Sequence, residues 1–126
     1  MNILAVDADP ASLAALQTKL QGAFPDAEVT SFRNSLDAIK YGMSHTVNIL
    51  FTDVRLRPVD GYFLIETLRA RQTFLAYVVS GTREKPDSLD WMNVNGYFAK
   101  PITEDELLSV AKALDEKRTS VQQTLA

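Results

Sequence analysis

The chain has 126 residues, 46% of them hydrophobic and 23% charged, enough apolar material for one globular domain with an unstapled core. It has no cysteine and a single histidine, His45, which excludes disulfides, thiol catalysis, thiolate metal sites and a multi-histidine zinc site within one chain. The net charge of -3 argues against a chain built mainly to grip nucleic acid, and no apolar run approaches the ~20 residues of a membrane span. Met1 leads almost at once into a strand pattern rather than a basic and then apolar leader, so the expected location is the cytoplasm.

Short apolar strands alternate with amphipathic segments from the start. Asn2–Val6 reads as a strand ending at Asp7. Asp9 is placed to cap a helix with Pro10 in its first turn, and Leu13, Leu16, Leu20 and Phe24 form one face of it. Gly22 and Pro25 end that helix. Ala27–Phe32 reads as a strand, after which Asn34 or Ser35 caps a second helix expected to face the core through Leu36, Ile39 and Met43. Val47–Thr52, rich in β-branched and aromatic residues, is the strongest strand, and Asp53 closes it. A loop with Pro58 leads to a third helix capped near Asp60 and carrying Phe63, Leu64, Ile65 and Leu68.

Phe74–Val79 is a fourth strand, stopping at Ser80 and Gly81. The stretch 83–94 carries a weak fourth helical pattern. Tyr97, Phe98 and Ala99 make a short fifth strand, followed by Lys100 and Pro101. Thr103 and Glu106 form a capping box that opens the last helix, through Leu107, Leu108, Ala111 and Leu114. Five strand–helix units in succession predict an α/β fold, a doubly wound parallel sheet covered on both faces. Residues 1–118 make the domain; the polar residues 119–126 read as a fraying helix end or the start of a linker.

In an open parallel sheet, ligands bind beyond the carboxyl ends of the strands. Asp7 and Asp9 follow the first strand, Asp53 the third, Ser80 ends the fourth and Lys100 follows the fifth. Carboxylates, a hydroxyl and an ammonium on one edge suit oxyanion chemistry beside a hard cation such as Mg²⁺. Neither a Gly-x-Gly-x-x-Gly nor a Walker loop is present, and the first loop is acidic where a bound phosphate wants backbone donors, so a nucleotide- or flavin-binding enzyme is disfavoured.

Four stretches in order carry a family resemblance. Ile3–Pro10 with its Asp7-Ala8-Asp9 resembles the opening strand and acidic pocket of response-regulator receiver domains. Phe51-Thr52-Asp53 with Gly61 resembles their phosphorylation strand and loop. Val79-Ser80-Gly81 matches the strand-four hydroxyl position, and Tyr97-Phe98-Ala99-Lys100-Pro101 the strand-five aromatic and Lys-Pro pair. The resemblance implies a flavodoxin-like (βα)5 sheet of order 2-1-3-4-5, the arrangement for which a chemotaxis relative is a standard example.

It also implies a phosphoacceptor rather than a classical enzyme, with Asp53 taking a phosphoryl group from a histidine kinase or phosphotransfer protein. Asp7 and Asp53, the main-chain carbonyl of Arg55 and, more loosely, Asp9 would surround Mg²⁺. Lys100 would bind a phosphoryl oxygen, and Ser80 and Tyr97 would switch. The output would pass through the face of the fourth helix, fifth strand and fifth helix to a downstream protein or effector domain, with homodimerisation through that face, and with neither nucleic acid nor membrane bound directly.

Two residues depart from the pattern. Ala8 stands where receivers usually carry a second acidic metal ligand, which predicts weakened Mg²⁺ binding. Arg55, two residues after the phosphoacceptor, is placed to lie over the phosphoryl group or pair with Asp9, which predicts a long-lived phosphorylated state. Ala8 also favours the competing reading, a pseudo-receiver that binds protein partners without phosphorylation; Asp53, Ser80 and Lys100 oppose it.

Overall fold

A computed structural model of the chain describes residues 1–81 and 94–125, with side chains to Arg118. Five strands, β1 (Asn2–Val6), β2 (Glu28–Phe32), β3 (Ile49–Thr52), β4 (Leu75–Ser80) and β5 (Gly96–Ala99), pair in parallel in the order β2-β1-β3-β4-β5. Four helices are described: α1 (Pro10–Ala23), α2 (Ser35–Ser44), α3 (Gly61–Arg69) and α4 (Glu104–Leu125). The helix expected over 83–94 falls almost wholly on residues 82–93, outside the described residues. No described helix is long and apolar enough to cross a membrane.

Because successive strand residues face opposite ways, each strand feeds two cores. Ile3, Ala5, Ile49, Phe51, Leu75, Tyr77 and Val79 pack with Leu13, Leu16 and Leu20 of α1 and Leu107, Val110 and Leu114 of α4. Leu4, Val6, Leu50, Ala76 and Val78 pack on the other side with Ala38 of α2 and Leu64, Ile65 and Leu68 of α3. This two-sided burial explains why β1, β3 and β4 read as continuous apolar runs, while β2 at one edge is more polar.

The expected apolar face of α2 holds only at Ile39, which packs against the second core. Leu36 and Met43 are 45% and 40% exposed, and the buried positions are Ser35, Ala38 and Gly42. The physical reason is a close approach to α3: a Cβ on Gly42 would meet Leu68 Cδ2 at 2.6 Å, so only small residues fit that seam. Phe63 and Leu108 likewise point outward, and Val110 takes a core position in α4. The helix starts behave as expected. Asp9, Asn34 and Asp60 each accept an N-terminal amide of their helix. Thr103 and Glu106 exchange backbone-to-side-chain bonds at the head of α4.

Candidate functional site

The register of the sheet sets the site. Val6 is level with Phe32 on β2 and Thr52 on β3, so one step further places Arg33, Asp7 and Asp53 in a row across three adjacent strands. The ladder continues into this row, with Asp7 N donating to the Phe32 carbonyl at 3.2 Å and Asp53 N to the Val6 carbonyl at 2.9 Å. On the other side, Lys100 N donates to the Ser80 carbonyl at 2.8 Å, which fixes the exit of β5 against the end of β4.

Lys100 Nζ lies 2.6 Å from Asp7 Oδ2 and 2.7 Å from Asp53 Oδ2, so one ammonium clasps both carboxylates. Asp7 is only 3% exposed, and a buried carboxylate requires such a partner. The remaining oxygens are also engaged: Asp9 N donates to Asp7 Oδ1 at 2.9 Å, and Val54 N to Asp53 Oδ1 at 2.7 Å. Burial pulls the Lys100 pKa down, but the hydrogen bonds and charges of Asp53 and Asp7 outweigh it and leave the pKa raised. Two carboxylates and one ammonium give the cluster one net negative charge.

The other expected residues divide. Ser80 is buried at the end of β4, and Tyr97, level with Val78, is half-buried against the second core. Arg55 is exposed on the loop after β3; among the described residues the ion pairs are those of Lys100, so Asp9 is not its partner. Asp9 is exposed and engaged as a helix cap: its carboxylate accepts from Ser12 Oγ at 2.7 Å and Ser12 N at 3.2 Å, which lowers its pKa. Ala8 is exposed, and its carbonyl accepts from Nε and Nη2 of Arg33, each at 3.4 Å.

The Asp7 and Asp53 carboxylates that face this edge suit Mg²⁺ in kind. They are fewer than a closed site would offer, since no group of three or more acidic, histidine or cysteine residues is placed to hold a metal among the described residues.

Three further contacts support the site. Gly61 opens α3 directly under the loop after β3, and a Cβ there would fall on the Asp53 carbonyl and within 3.2 Å of Val54 Cα. Lys19 Nζ donates to the Ile102 carbonyl at 2.7 Å, tying the loop after Lys100 to α1 beside a cavity of about 100 Å³ that Asp7 and Lys100 also line. Arg33 enters the row only because β2 pairs with β1. The resemblance already singles out the glycine; the other two were not evident from the sequence, because they depend on strand order and helix docking.

The response regulator receiver domain model matches residues 3–112. Among solved structures, a CheY-like receiver domain from Methylobacillus flagellatus superposes with a TM-score of 0.80 at 20% identity, covering 90% of this chain and 98% of that one. One from Methanospirillum hungatei gives 0.81 at 23% identity, with 94% and 97% covered. The response regulator TrrA from Thermotoga maritima, solved in complex with Mg²⁺-BeF, gives 0.78 at 21% identity, with 90% and 97% covered. No curated protein matches the chain.

Proposed function

The chain belongs to the response regulator receiver family, and from that premise we propose that Asp53 is its phosphoacceptor in two-component signalling. The single observation that carries this reading is the Lys100 ammonium held 2.7 Å from Asp53 Oδ2, with Asp7 on its other side. An oxygen of the Asp53 carboxylate attacks the phosphorus of a phosphohistidine on a kinase or phosphotransfer protein. The P–N bond breaks, and the imidazole leaves with its electron pair and takes a proton. Lys100 then shifts its bonding to a phosphoryl oxygen, as positive charge positioned in advance.

Asp7, Asp53 and the carbonyl of Arg55 would hold Mg²⁺, which when bound neutralises phosphoryl charge; with Ala8 beside them the affinity is weak. Asp9, already committed to α1, contributes at most through water. Ser80 hydrogen-bonds the phosphoryl group, and Tyr97 turns toward the space this opens. The change then passes to the face formed by β5 and α4, where a downstream protein, an effector domain or a second copy docks. The reading places the protein in the cytoplasm.

Ala8 favours the second reading, a pseudo-receiver that works without phosphate. The deciding experiment incubates wild type and Asp53→Asn with Mg²⁺ and a small phosphodonor, then records intact mass and amide shifts. Modification of wild type alone, with shifts reaching Ser80 and Tyr97, is expected. No modification at any Mg²⁺ concentration would leave the pseudo-receiver.

A further inference from the structure

We propose that Arg33 is an anion-binding residue of the Asp53 site, whose guanidinium lets the chain accept a phosphoryl group without a divalent ion. The inference rests on Asp53 being the acceptor and adds how its charge is met. Once phosphorylated, the site holds a phosphoryl dianion and the Asp7 carboxylate against one ammonium, which leaves about two negative charges uncompensated. Arg33 stands in the same row as Asp7 and Asp53, two strands from the acceptor. Adjacent strands are about 4.8 Å apart, so with β1 between them the two backbones lie roughly 10 Å apart, a separation that an arginine side chain and a phosphoryl group projecting from Asp53 together span.

The guanidinium is exposed and uncommitted. It rests on the neutral Ala8 carbonyl through two long hydrogen bonds of 3.4 Å, and the ion pairs among the described residues belong to Lys100. A carboxylate at position 8 would capture it, so the alanine both removes a metal ligand and frees a cation beside the place the metal would take. A planar fork of N–H donors matches phosphoryl oxygens, and the bond strengthens as its acceptor changes from a carbonyl to an anion.

The test treats the full chain with acetyl phosphate, either in excess EDTA or with Mg²⁺, and follows intact mass. Asp53 forms the new P–O bond, the acyl-phosphate P–O bond breaks, and acetate leaves with the electron pair. Wild type is expected to gain one phosphoryl group in EDTA. Arg33→Gln should lose that metal-free reaction by about tenfold or more while keeping the Mg²⁺ reaction, and Arg33→Lys should restore part of it. Amide spectra of the variants check that each is folded. Modification of wild type only with Mg²⁺ would overturn the role of Arg33 and leave Asp53 as acceptor. Equal metal-free rates for wild type and Arg33→Gln would do the same. Failure of wild type in both conditions would overturn the acceptor reading and this proposal with it.

Discussion

Lys100 carries the heaviest electrostatic duty of any side chain in the site. Replacing it with methionine leaves Asp7 and Asp53 facing each other without a cation. We expect Lys100→Met to lose about 1–2 kcal/mol at neutral pH, the value of charged hydrogen bonds discounted for the solvent the ammonium still meets. Adding Asp7→Asn should recover part of the loss by removing the repulsion, and urea melts of the three proteins check both. Because the folded pKa of Lys100 is raised, its contribution is fully present below the unfolded value near 10.5 and declines as pH climbs through the folded value. The stability gap between wild type and Lys100→Met should therefore stay level from neutral pH to about 10 and then close. Tyr77, also raised, by burial, titrates in both proteins and cancels from the gap. Arg55 makes a kinetic prediction: if its exposed side chain shields the phosphoryl group, Arg55→Ala should release phosphate about threefold to tenfold faster, read from the decay of phosphorylated mass. Residue identities at this scale were largely legible, because Asp7, Asp53 and Lys100 each stand at a strand end; Arg33 was not, because nothing local tells which strand lies next to which.

At the level of elements, the first and third helices begin on residues that border the site. Asp9→Ala should cost about 0.5–2 kcal/mol through loss of the α1 cap, while leaving Mg²⁺ affinity unchanged in a titration. A fall in Mg²⁺ affinity with no loss of stability would make Asp9 a ligand instead. Gly61→Ala should cost about 1–3 kcal/mol and, if Asp53 is the acceptor, slow phosphorylation, since the new methyl must push aside the backbone of Asp53 itself; a melt alongside a phosphorylation time course separates the two effects. Helix capping was readable because Asp, Asn and Thr act on amides two or three residues away. The buried face of α2 was legible only at Ile39, since Leu36 and Met43 carry the periodic signal but are exposed, while Ala38 and Gly42 are buried on the α3 side. Small residues at a close helix–helix seam give no hydropathy signature, and the seam exists only once α3 is in place.

Across the whole molecule, alternation of strands and helices and the two-sided burial of β1, β3 and β4 were enough to identify the layered sheet, and the resemblance supplied its strand order. What pattern alone leaves out are ties between distant segments, such as Lys19 to Ile102 and Gln72 to the carbonyls of Gly42 and His45. The charged cluster is itself such a tie. Asp53 and Lys100 are 47 positions apart in the chain, and Asp7 lies a further helix–strand–helix–strand excursion before Asp53, with every connection a parallel crossover. Non-local parallel pairing of this kind forms slowly and late. A nascent or partly folded chain with β5 not yet docked therefore presents Asp53 without its ammonium, so on the proposed reading of Asp53 as acceptor its competence would arrive together with completion of the sheet. On that reading such a site would double as a proof of folding, in that a phosphodonor would be answered only by chains that have finished assembling.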